Sequence, residues 1–319
     1  MIASQTTSNP ALPCSGNPLG FHQPTAQDYA WAQPILFQAS RMGCEFCFGN
    51  IYAWCLKYGT EIAQAGDFFV SRSRNQTVHC MPIGQGDLRE VLALLQADAA
   101  RCGHKLTLYG VTDEDIPRLQ AAAPGQFRLE HCAQSDFDYI YKQTDLAELA
   151  GKKYHQKRNH VARFMRECPG WHVEEITSAM LDEVLAMEKA WAAQNRERSP
   201  EGFDEELAAF ERSISQFETF DMRGAVLREN GAGSRIIAFT MGETLNANTF
   251  CTHYEKAYAD YTGTYQMINR AFAQHVLDDF EFINREEDLG HEGLRKAKMS
   301  YHPAILLEKH RVIFTPAGS

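Results

Sequence analysis

The residues best suited to chemistry gather in the segment from Arg285 to Asp288, between two apolar segments near the end of the chain. The preceding residues, 280–284, are typical of a strand. The basic stretch that follows is typical of a helix, which must end before Pro303. Because sites in α/β proteins gather at strand ends and the loops beyond them, we expect a binding site here. The candidate substrate-binding residues are Asn284, Arg285, Glu287, Asp288, Lys296 and Lys298.

The charges of this segment allow two interpretations. Arg285 could hold a carboxylate substrate through a bidentate contact, and the acidic residues could hold an amine. Alternatively, the acidic residues could pair with Arg295, Lys296 and Lys298 of the following helix in a closed network, which perturbs pKa values without catalysis. We expect the segment to combine both roles.

A second concentration of charge is entirely basic, because no acidic residue occurs from Leu149 to Met165. Positions 153, 157 and 160 fall on one side of a helix, where they could meet a phosphate or the acceptor end of a tRNA. A solvated helix face explains the same charges if the opposite face packs on a core. That opposite face consists of Tyr154, Val161 and Phe164.

The spacing Cys44-x-x-Cys47 invites a metal or redox interpretation. A zinc site needs a second ligand pair, and no other part of the chain repeats this spacing. The neighbouring Phe46 and Phe48 favour plain burial of small apolar side chains. We therefore expect no metal.

Composition narrows the class of protein. The chain has 319 residues, a formal net charge of −10 and nine scattered cysteines. The acidic balance argues against a general nucleic-acid binder, and the cysteine usage fits a reducing compartment. Since we find neither a signal peptide nor an apolar run of about 20 residues, we expect a soluble, cytoplasmic protein.

The predicted elements are those of an α/β protein with mixed sheets. Residues 1–20 are typical of a disordered tail. A helix is predicted from Asp87, its N-cap, to Gly103, and a hairpin turn at Asn230–Gly231. Both halves of the chain contain strands in a row followed by a helix and a strand. We therefore expect two similar units, an N-terminal domain at 21–141 and a C-terminal domain at 142–319.

Three segments carry a family resemblance: GKKYHQKRNHV at 151–161, THYEKAYADYTGTYQMIN at 252–269 and FINREEDLGHEGLRKAKMSYHP at 282–303. They resemble the family named for the C-terminal domain of phosphatidylglycerol lysyltransferase, and the likeness covers roughly residues 20–315. The order of the predicted elements is that of the GCN5-related N-acetyltransferase (GNAT) fold. The resemblance implies a tandem GNAT-like fold.

The resemblance also implies a class of reaction. The membrane-bound namesakes of the family move an aminoacyl group from charged tRNA to a lipid headgroup, whereas ordinary GNAT enzymes use acyl-CoA. We therefore expect acyl or aminoacyl transfer from a CoA thioester or an aminoacyl-tRNA to an amine or hydroxyl acceptor. One alternative is a non-catalytic protein that binds a small ligand on a GNAT scaffold. The other is lipid aminoacylation as in the namesakes, although we find no transmembrane region in this sequence.

The resemblance assigns the donor's pyrophosphate to the loop before a helix at 258–265, because a helix N-terminus favours an anion. The glycine-rich motif that is usual in this loop of GNAT enzymes is missing, and an N-cap at Thr262 or Thr264 explains the same residues. The candidate donor-binding residues are Tyr261, Thr262, Gly263, Thr264 and Tyr265, together with Lys152, Lys153, Arg158 and Asn159 of the basic stretch.

The resemblance also suggests catalytic roles. Glu255, on the strand before this loop, stands where a GNAT-like base accepts a proton, and His253 alternates onto the same face. A salt bridge from Glu255 to Lys256 or Arg235 is the competing interpretation. Tyr301 lies where GNAT enzymes keep a hydroxyl that protonates the leaving group, although a buried tyrosine under Pro303 explains it equally.

Overall fold

The computed structural model describes residues 16–195 and 203–315, in which the chain divides into two compact units. Unit 1 comprises the residues up to Asp138, the segment Glu287–Arg295 and the chain from Leu306 onward. Unit 2 comprises Tyr139–Glu286 and Lys296–Ile305. Of the predicted disordered tail at 1–20, positions 1–15 lie outside the described residues.

The helices and strands of the described residues are numbered here in chain order. The helices are α1 (Tyr29–Gln38), α2 (Phe48–Tyr58), α3 (Leu88–Arg101), α4 (Ile116–Ala122), α5 (Gln143–Glu148), α6 (His155–Glu167), α7 (Leu181–Asn195), α8 (Phe203–Ile214), α9 (Thr264–His275) and α10 (Glu292–Met299). The strands are β1 (Thr60–Ala65), β2 (Phe68–Ser73), β3 (Val78–Cys80), β4 (Ile83–Gly84), β5 (Thr107–Val111), β6 (Phe127–His131), β7 (Asp138–Lys142), β8 (His172–Glu175), β9 (Arg223–Arg228), β10 (Ile236–Asn246), β11 (Thr249–Ala257), β12 (Phe282–Asn284), β13 (Ile305–Leu307) and β14 (His310–Phe314).

Unit 1 is built on a sheet with the strand order β1-β2-β3-β5-β14-β6, to which β4 adds beside β2. The strands β3 and β5 are parallel and are joined through α3. The predicted N-cap of α3 is confirmed, because the Asp87 carboxylate accepts a hydrogen bond from the backbone of Arg89 at 2.9 Å. The apolar face of α3 is buried in the core through Leu88, Val91, Leu92, Leu95 and Ala99.

Unit 2 is built on a sheet with the strand order β13-β7-β12-β11-β10-β9-β8. The strands β11 and β12 are parallel and are joined through α9, whereas β9, β10 and β11 form an antiparallel meander. The predicted hairpin around Asn230–Gly231 is confirmed as β9 and β10. Side chains Met267, Ile268 and Phe272 of α9 are buried. The predicted α/β class with mixed sheets is confirmed in both units.

The division of the chain differs from the predicted contiguous domains, 21–141 and 142–319. In unit 1 the strand beside β5 is β14, which comes from the end of the chain. In unit 2 the strand beside β12 is β7, which comes from the first half. Each sheet is therefore completed by a strand from the other half of the sequence. For this reason the segments 287–295 and 306–319 belong to unit 1 rather than to a C-terminal domain.

Candidate functional site

The candidate site of unit 2 lies where the parallel strands β11 and β12 separate. Their pairing covers only Thr249 to Cys251 on one strand and Phe282 to Asn284 on the other. Beyond these positions β11 continues to Ala257, whereas β12 ends. Ligands of open α/β sheets bind beyond the carboxyl ends of parallel strands, where the backbone pairing stops. We call this place the unit 2 crevice; its side chains are Lys157, Glu255, Arg285 and Tyr301.

Glu255 and Arg285 form an ion pair across the crevice. A guanidinium nitrogen of Arg285 lies 2.7 Å from Glu255 Oε1, and Asn269 donates to Glu255 Oε2 at 3.2 Å. Both charged side chains are largely buried. Burial opposes the charge on Arg285, but Glu255 outweighs this effect and raises the pKa of Arg285. The carboxylate therefore holds the guanidinium in place.

This ion pair bears on the two interpretations of Glu255, as a catalytic base or as a salt-bridged side chain. A salt bridge exists, but its partner is neither of the predicted ones. Lys256 pairs with Glu206 at 2.6 Å, and Arg235 pairs with Glu229 and Asp260. The sequence could not indicate Arg285 as the partner, because the contact joins the ends of two strands that are 30 positions apart.

Lys157 of α6 points into the crevice. Its Nζ lies 3.9 Å from the centroid of the Tyr301 ring, a cation–π contact. Burial and the nearby Arg285 lower the pKa of Lys157 to about 8, although Glu255 acts in the opposite direction. Within the residues that the structure describes, this amine has no hydrogen bond and no ion-pair partner. It is thus a half-buried amine that is partly neutral near physiological pH.

Tyr301 is the aromatic wall of the crevice. Its side chain is buried, and the Arg285 guanidinium lies 5.2 Å from its ring centroid. Burial raises the pKa of Tyr301, so the hydroxyl keeps its proton at neutral pH. The hydroxyl has no hydrogen-bond partner among the described residues. Tyr141 and Tyr154 fix the backbone here by donating to the carbonyls of Lys298 and Tyr301, each at 2.9 Å.

His253 is held between two carboxylates rather than exposed in the crevice. Its Nε2 lies 2.9 Å from Glu243 and its Nδ1 lies 2.7 Å from Glu286. Burial would lower the pKa of His253, but Cys251 and the two carboxylates outweigh burial and raise it well above the ordinary value. An imidazolium that donates from both nitrogens has no lone pair with which to act as a base. The contacts therefore favour a structural role.

A β-bulge explains the position of His253. The pairing of β10 with β11 passes from Met241–Tyr254 to Gly242–Thr252, so His253 has no partner in the register. A bulge interrupts the two-residue alternation of side chains. The predicted common face of His253 and Glu255 assumed a regular strand, and this assumption fails at the bulge.

The predicted donor loop is packed against α6. The N–H of Thr262 donates to the Glu167 carboxylate at 3.0 Å. The residue before α9 is Gly263, with φ +96°, and a Cβ there would lie 2.3 Å from the carbonyl oxygen of His160. The N-cap of α9 is Gly263, and not the predicted Thr262 or Thr264. Thr264 instead donates to the carbonyl of Tyr261 at 2.8 Å, while Tyr265 is exposed.

Most side chains of the basic stretch contact groups within α6 or in the segment that precedes it. Lys153 pairs with Asp145 at 3.4 Å, and Arg158 donates to the carbonyls of Leu149 and Gly151. Asn159 contacts His155 at 3.2 Å. The predicted core-facing stripe is confirmed by the burial of Tyr154, Val161 and Phe164. Lys152 remains exposed on the surface.

The segment 284–298 forms local contacts within each unit. In unit 2, Asn284 accepts from the backbone of Glu286 at 2.6 Å, and Lys298 donates to the carbonyls of Arg285 and Glu286. In unit 1, Arg295 makes a bidentate contact with Asp288 at 2.7 and 2.8 Å. Glu287 contacts Lys309 at 3.2 Å. The predicted network is thus confirmed for Asp288 and Arg295, while Lys296 is exposed.

Unit 1 contains a buried cluster that the sequence analysis did not predict. Asp138 and Glu287 lie against Lys309, and the Cys44 thiol is beside them. The donor atoms of Cys44, Asp138 and Glu287 lie within 4.8 Å of one another, a spacing that could hold a metal ion. The Lys309 ammonium forms ion pairs with both carboxylates. Cys47 is also buried, and neither cysteine of the motif forms a disulfide.

Comparison with known proteins identifies the family. The sequence model of the family described as "Phosphatidylglycerol lysyltransferase, C-terminal" matches residues 37–313. The chain belongs to this family. This confirms the predicted family resemblance.

Solved structures similar to this chain include a conserved protein of unknown function from Bacteroides thetaiotaomicron, 35% identical, with a TM-score of 0.87 over 93% of this chain and 100% of that one. The C-terminal domain of a proposed lysylphosphatidylglycerol synthetase from Agrobacterium fabrum is 14% identical, with a TM-score of 0.65 over 92% and 93%. L-PGS from Bacillus licheniformis is 13% identical, with a TM-score of 0.64 over 94% and 95%. The last two share the fold.

A curated relative, an uncharacterized protein from Mycoplasmoides gallisepticum, is 22% identical over 191 residues. The match spans 59% of this chain and 59% of the length of that relative. Among the described residues, no helix has the length and apolar character needed to cross a membrane.

Proposed function

We propose that this chain is a transferase that moves an acyl or aminoacyl group from an activated ester or thioester to an amine or hydroxyl acceptor in the unit 2 crevice. The observation that carries the proposal is the environment of Lys157. Its amine has a pKa of about 8 and lies 3.9 Å from the Tyr301 ring, beside the fixed Arg285–Glu255 pair. Groups with perturbed pKa values cluster at functional sites.

Each side chain of the crevice has a role in such a transfer. The acceptor nitrogen or oxygen attacks the donor carbonyl, and neutral Lys157 takes the proton of the acceptor. Arg285 stabilises the negative charge on the carbonyl oxygen, while Glu255 keeps the guanidinium oriented. When the bond to the leaving oxygen or sulfur breaks, Tyr301 supplies the proton. The Lys157 ammonium then returns a proton to Tyr301, which restores both groups.

Among donors, we favour the aminoacyl ester of a tRNA over a CoA thioester. A pyrophosphate at the start of α9 would need the backbone amide of Thr262, which already donates to Glu167. The family is described as phosphatidylglycerol lysyltransferase, and two structural relatives carry lysylphosphatidylglycerol synthetase names. Exposed Lys152 and the outer face of α6 offer positive charge to a nucleic-acid phosphate.

The competing function is ligand binding without transfer. The observation in its favour is the same contact between Glu167 and Thr262, which fills a place that a donor would take in an acetyltransferase of this fold. A ligand would then be held by Arg285 and Lys157 without any chemical step.

A donor screen separates these functions. The purified chain is incubated with acyl-CoAs or charged tRNAs and with amine or hydroxyl acceptors, including phosphatidylglycerol vesicles, and label transfer is measured. We expect transfer from aminoacyl-tRNA, reduced by roughly 10²- to 10⁴-fold in Tyr301→Phe, because only the hydroxyl that protonates the leaving group is lost. Tyr52→Phe, in α2 of unit 1, is the matched control and keeps the rate.

The outcomes of this screen are distinct. Transfer from acyl-CoA alone contradicts the choice of donor. Stabilisation by a donor without transfer to any acceptor contradicts the transferase proposal and supports the binding function. Transfer at an unchanged rate in Tyr301→Phe removes that residue from the mechanism.

A further inference from the structure

The buried cluster of unit 1 has the composition of a self-reacting site, independent of the reaction proposed for unit 2. Lys309, just before β14, is completely buried, and its Nζ lies 2.8 Å from Asp138 Oδ1. The same Nζ lies 2.8 Å from a carboxylate oxygen of Glu45 and 3.2 Å from Glu287. An amine and a carboxyl group are thus in direct contact, with two further carboxyl groups around them.

The two glutamates of the cluster can take protons from Lys309. Each has a carboxylate oxygen within 3.2 Å of Nζ, which is close enough for direct proton transfer. A glutamate that accepts a proton from the ammonium leaves a neutral amine beside the Asp138 carboxyl group and can return that proton later. Glu45 and Glu287 are therefore placed to act as a proton shuttle.

The Asp138 carboxyl group is also polarised from its other side. The backbone N–H of Cys44 donates to Asp138 Oδ2 at 2.7 Å. A fixed backbone N–H at a carboxyl oxygen stabilises the negative charge that develops there when a nucleophile adds to the carbon. The Cys44 thiol is directed toward Glu287 at 3.4 Å. The carboxyl group is therefore oriented by the backbone and not only by the lysine.

The surroundings exclude water. The ring of Tyr109 lies 5.9 Å from Lys309 Nζ, and the tyrosine is 1% exposed. Its hydroxyl, among the described residues, has no hydrogen-bond partner. Condensation of an amine with a carboxyl group releases water, so a dry interior favours the product. Amide formation also removes two buried charges, which an ion pair would retain.

We propose that Lys309 and Asp138 condense into an intramolecular amide bond. Within the cluster, Lys309 passes one proton to a carboxylate and adds to the Asp138 carboxyl carbon through Nζ. The new N–C bond forms as the C–O bond breaks. The departing oxygen leaves as water with two protons that came from the ammonium, and one hydrogen stays on the amide nitrogen. Glu287 carries the protons, and no other reactant is required.

Burial would lower the pKa of Lys309, but Asp138, Cys44 and Glu45 outweigh burial and raise it well above the ordinary value. The ion pair is therefore the dominant starting state, and the neutral amine is a minor one. We expect the bond to form slowly after folding. Once formed, it closes a covalent ring between positions 171 residues apart in the chain.

Mass spectrometry of the denatured full-length protein tests the proposal. We expect the unaltered protein to be lighter than its sequence by one water molecule, in a fraction that grows on incubation of the folded protein. Trypsin does not cleave at an acylated lysine, so digestion should yield a branched peptide joining the segments that contain Asp138 and Lys309. Lys309→Met and Asp138→Ala should show the full masses of their sequences.

A variant that keeps both Lys309 and Asp138 tests whether Glu287 carries the protons. In Glu287→Gln the cross-linked fraction should fall severalfold at equal incubation time, whereas Glu292→Gln, an exposed change on α10, should leave it unchanged. An unaltered, folded protein with the full mass and no branched peptide overturns the proposal. A water loss without the branched peptide, as from a succinimide at an aspartate, also overturns it. Because the unaltered protein decides the question, a variant that fails to fold does not affect the test.

Discussion

At the scale of single residues, burial and neighbouring charge decide what each ionisable group does. Lys157 belongs to a basic stretch in which Lys153 and Arg158 have ordinary structural contacts. Lys157 instead turns inward beside Tyr301, where burial and the charge of Arg285 lower its pKa. The sequence indicates the basic helix and its apolar face. It cannot indicate which lysine turns inward, because that depends on what the rest of unit 2 packs beside it.

Glu188 of α7 shows the same effect on a carboxyl group. Its side chain is 1% exposed, and its Oε2 has no hydrogen-bond partner among the described residues. Lys256, whose charge acts on Glu188, pairs instead with Glu206 at 2.6 Å. Burial, opposed in part by Lys256, raises the pKa of Glu188 to about 7 from an ordinary value of 4.5. The folded state therefore binds this proton more tightly than the unfolded chain does.

This binding predicts how stability depends on pH. Between pH 4.5 and about 7 the folded state holds the Glu188 proton and the unfolded state does not. The contribution of Glu188 to the free energy of unfolding therefore falls as pH rises through this window, by at most roughly 3 kcal/mol. Glu188→Gln removes the titration. We expect the variant to gain roughly 2 kcal/mol relative to the unaltered protein between pH 5 and pH 8.

Urea unfolding of both proteins at the two pH values measures this difference. Glu205→Gln, an exposed change on α8, is the control and should show no such gain. A Glu188→Gln variant whose stability parallels that of the unaltered protein at both pH values would mean that Glu188 is ionised throughout.

At the scale of secondary-structure elements, local signals predict elements well but do not predict their partners. The Asp87 N-cap and the Asn230–Gly231 turn are local, and both predictions are confirmed. The exchange of β7 and β14 between the sheets is not local, because it depends on which distant edge each strand reaches. The bulge at His253 similarly depends on the partner strand β10. These non-local features place the crevice and the buried cluster.

The start of α9 gives a prediction at this scale. Gly263 combines a φ of +96° with a backbone carbonyl at the position of an added Cβ, whereas Gly231, with φ +84°, faces open space. Gly231→Ala should cost about 1 kcal/mol through φ strain alone. Gly263→Ala should cost distinctly more, because α9 must also move away from His160. Denaturant unfolding of the two variants provides the comparison. Equal losses would show that the close approach of α9 to α6 contributes nothing to stability.

At the scale of the whole molecule, the sequence predicts more about the family than about the chemistry. Three segments suffice to indicate the family, and the family match over residues 37–313 confirms it. The predicted catalytic set is rearranged by the structure. Glu255 holds Arg285, and His253 is held by two carboxylates. Lys157, beside Tyr301, is the base that we propose instead. Fold and family do not fix these roles, because they follow from side-chain contacts.

The pH dependence of aminoacyl transfer tests the central proposal most directly, with Lys157→Arg and Lys157→Met beside the unaltered chain. If Lys157 is the base, the rate rises with pH, levels above about 8, and falls by roughly 10²-fold or more in both variants, because arginine stays protonated. Lys105→Met, an exposed change outside the basic stretch, should retain the profile. An unaltered rate and pH profile in Lys157→Met would contradict a reaction centre built on this lysine.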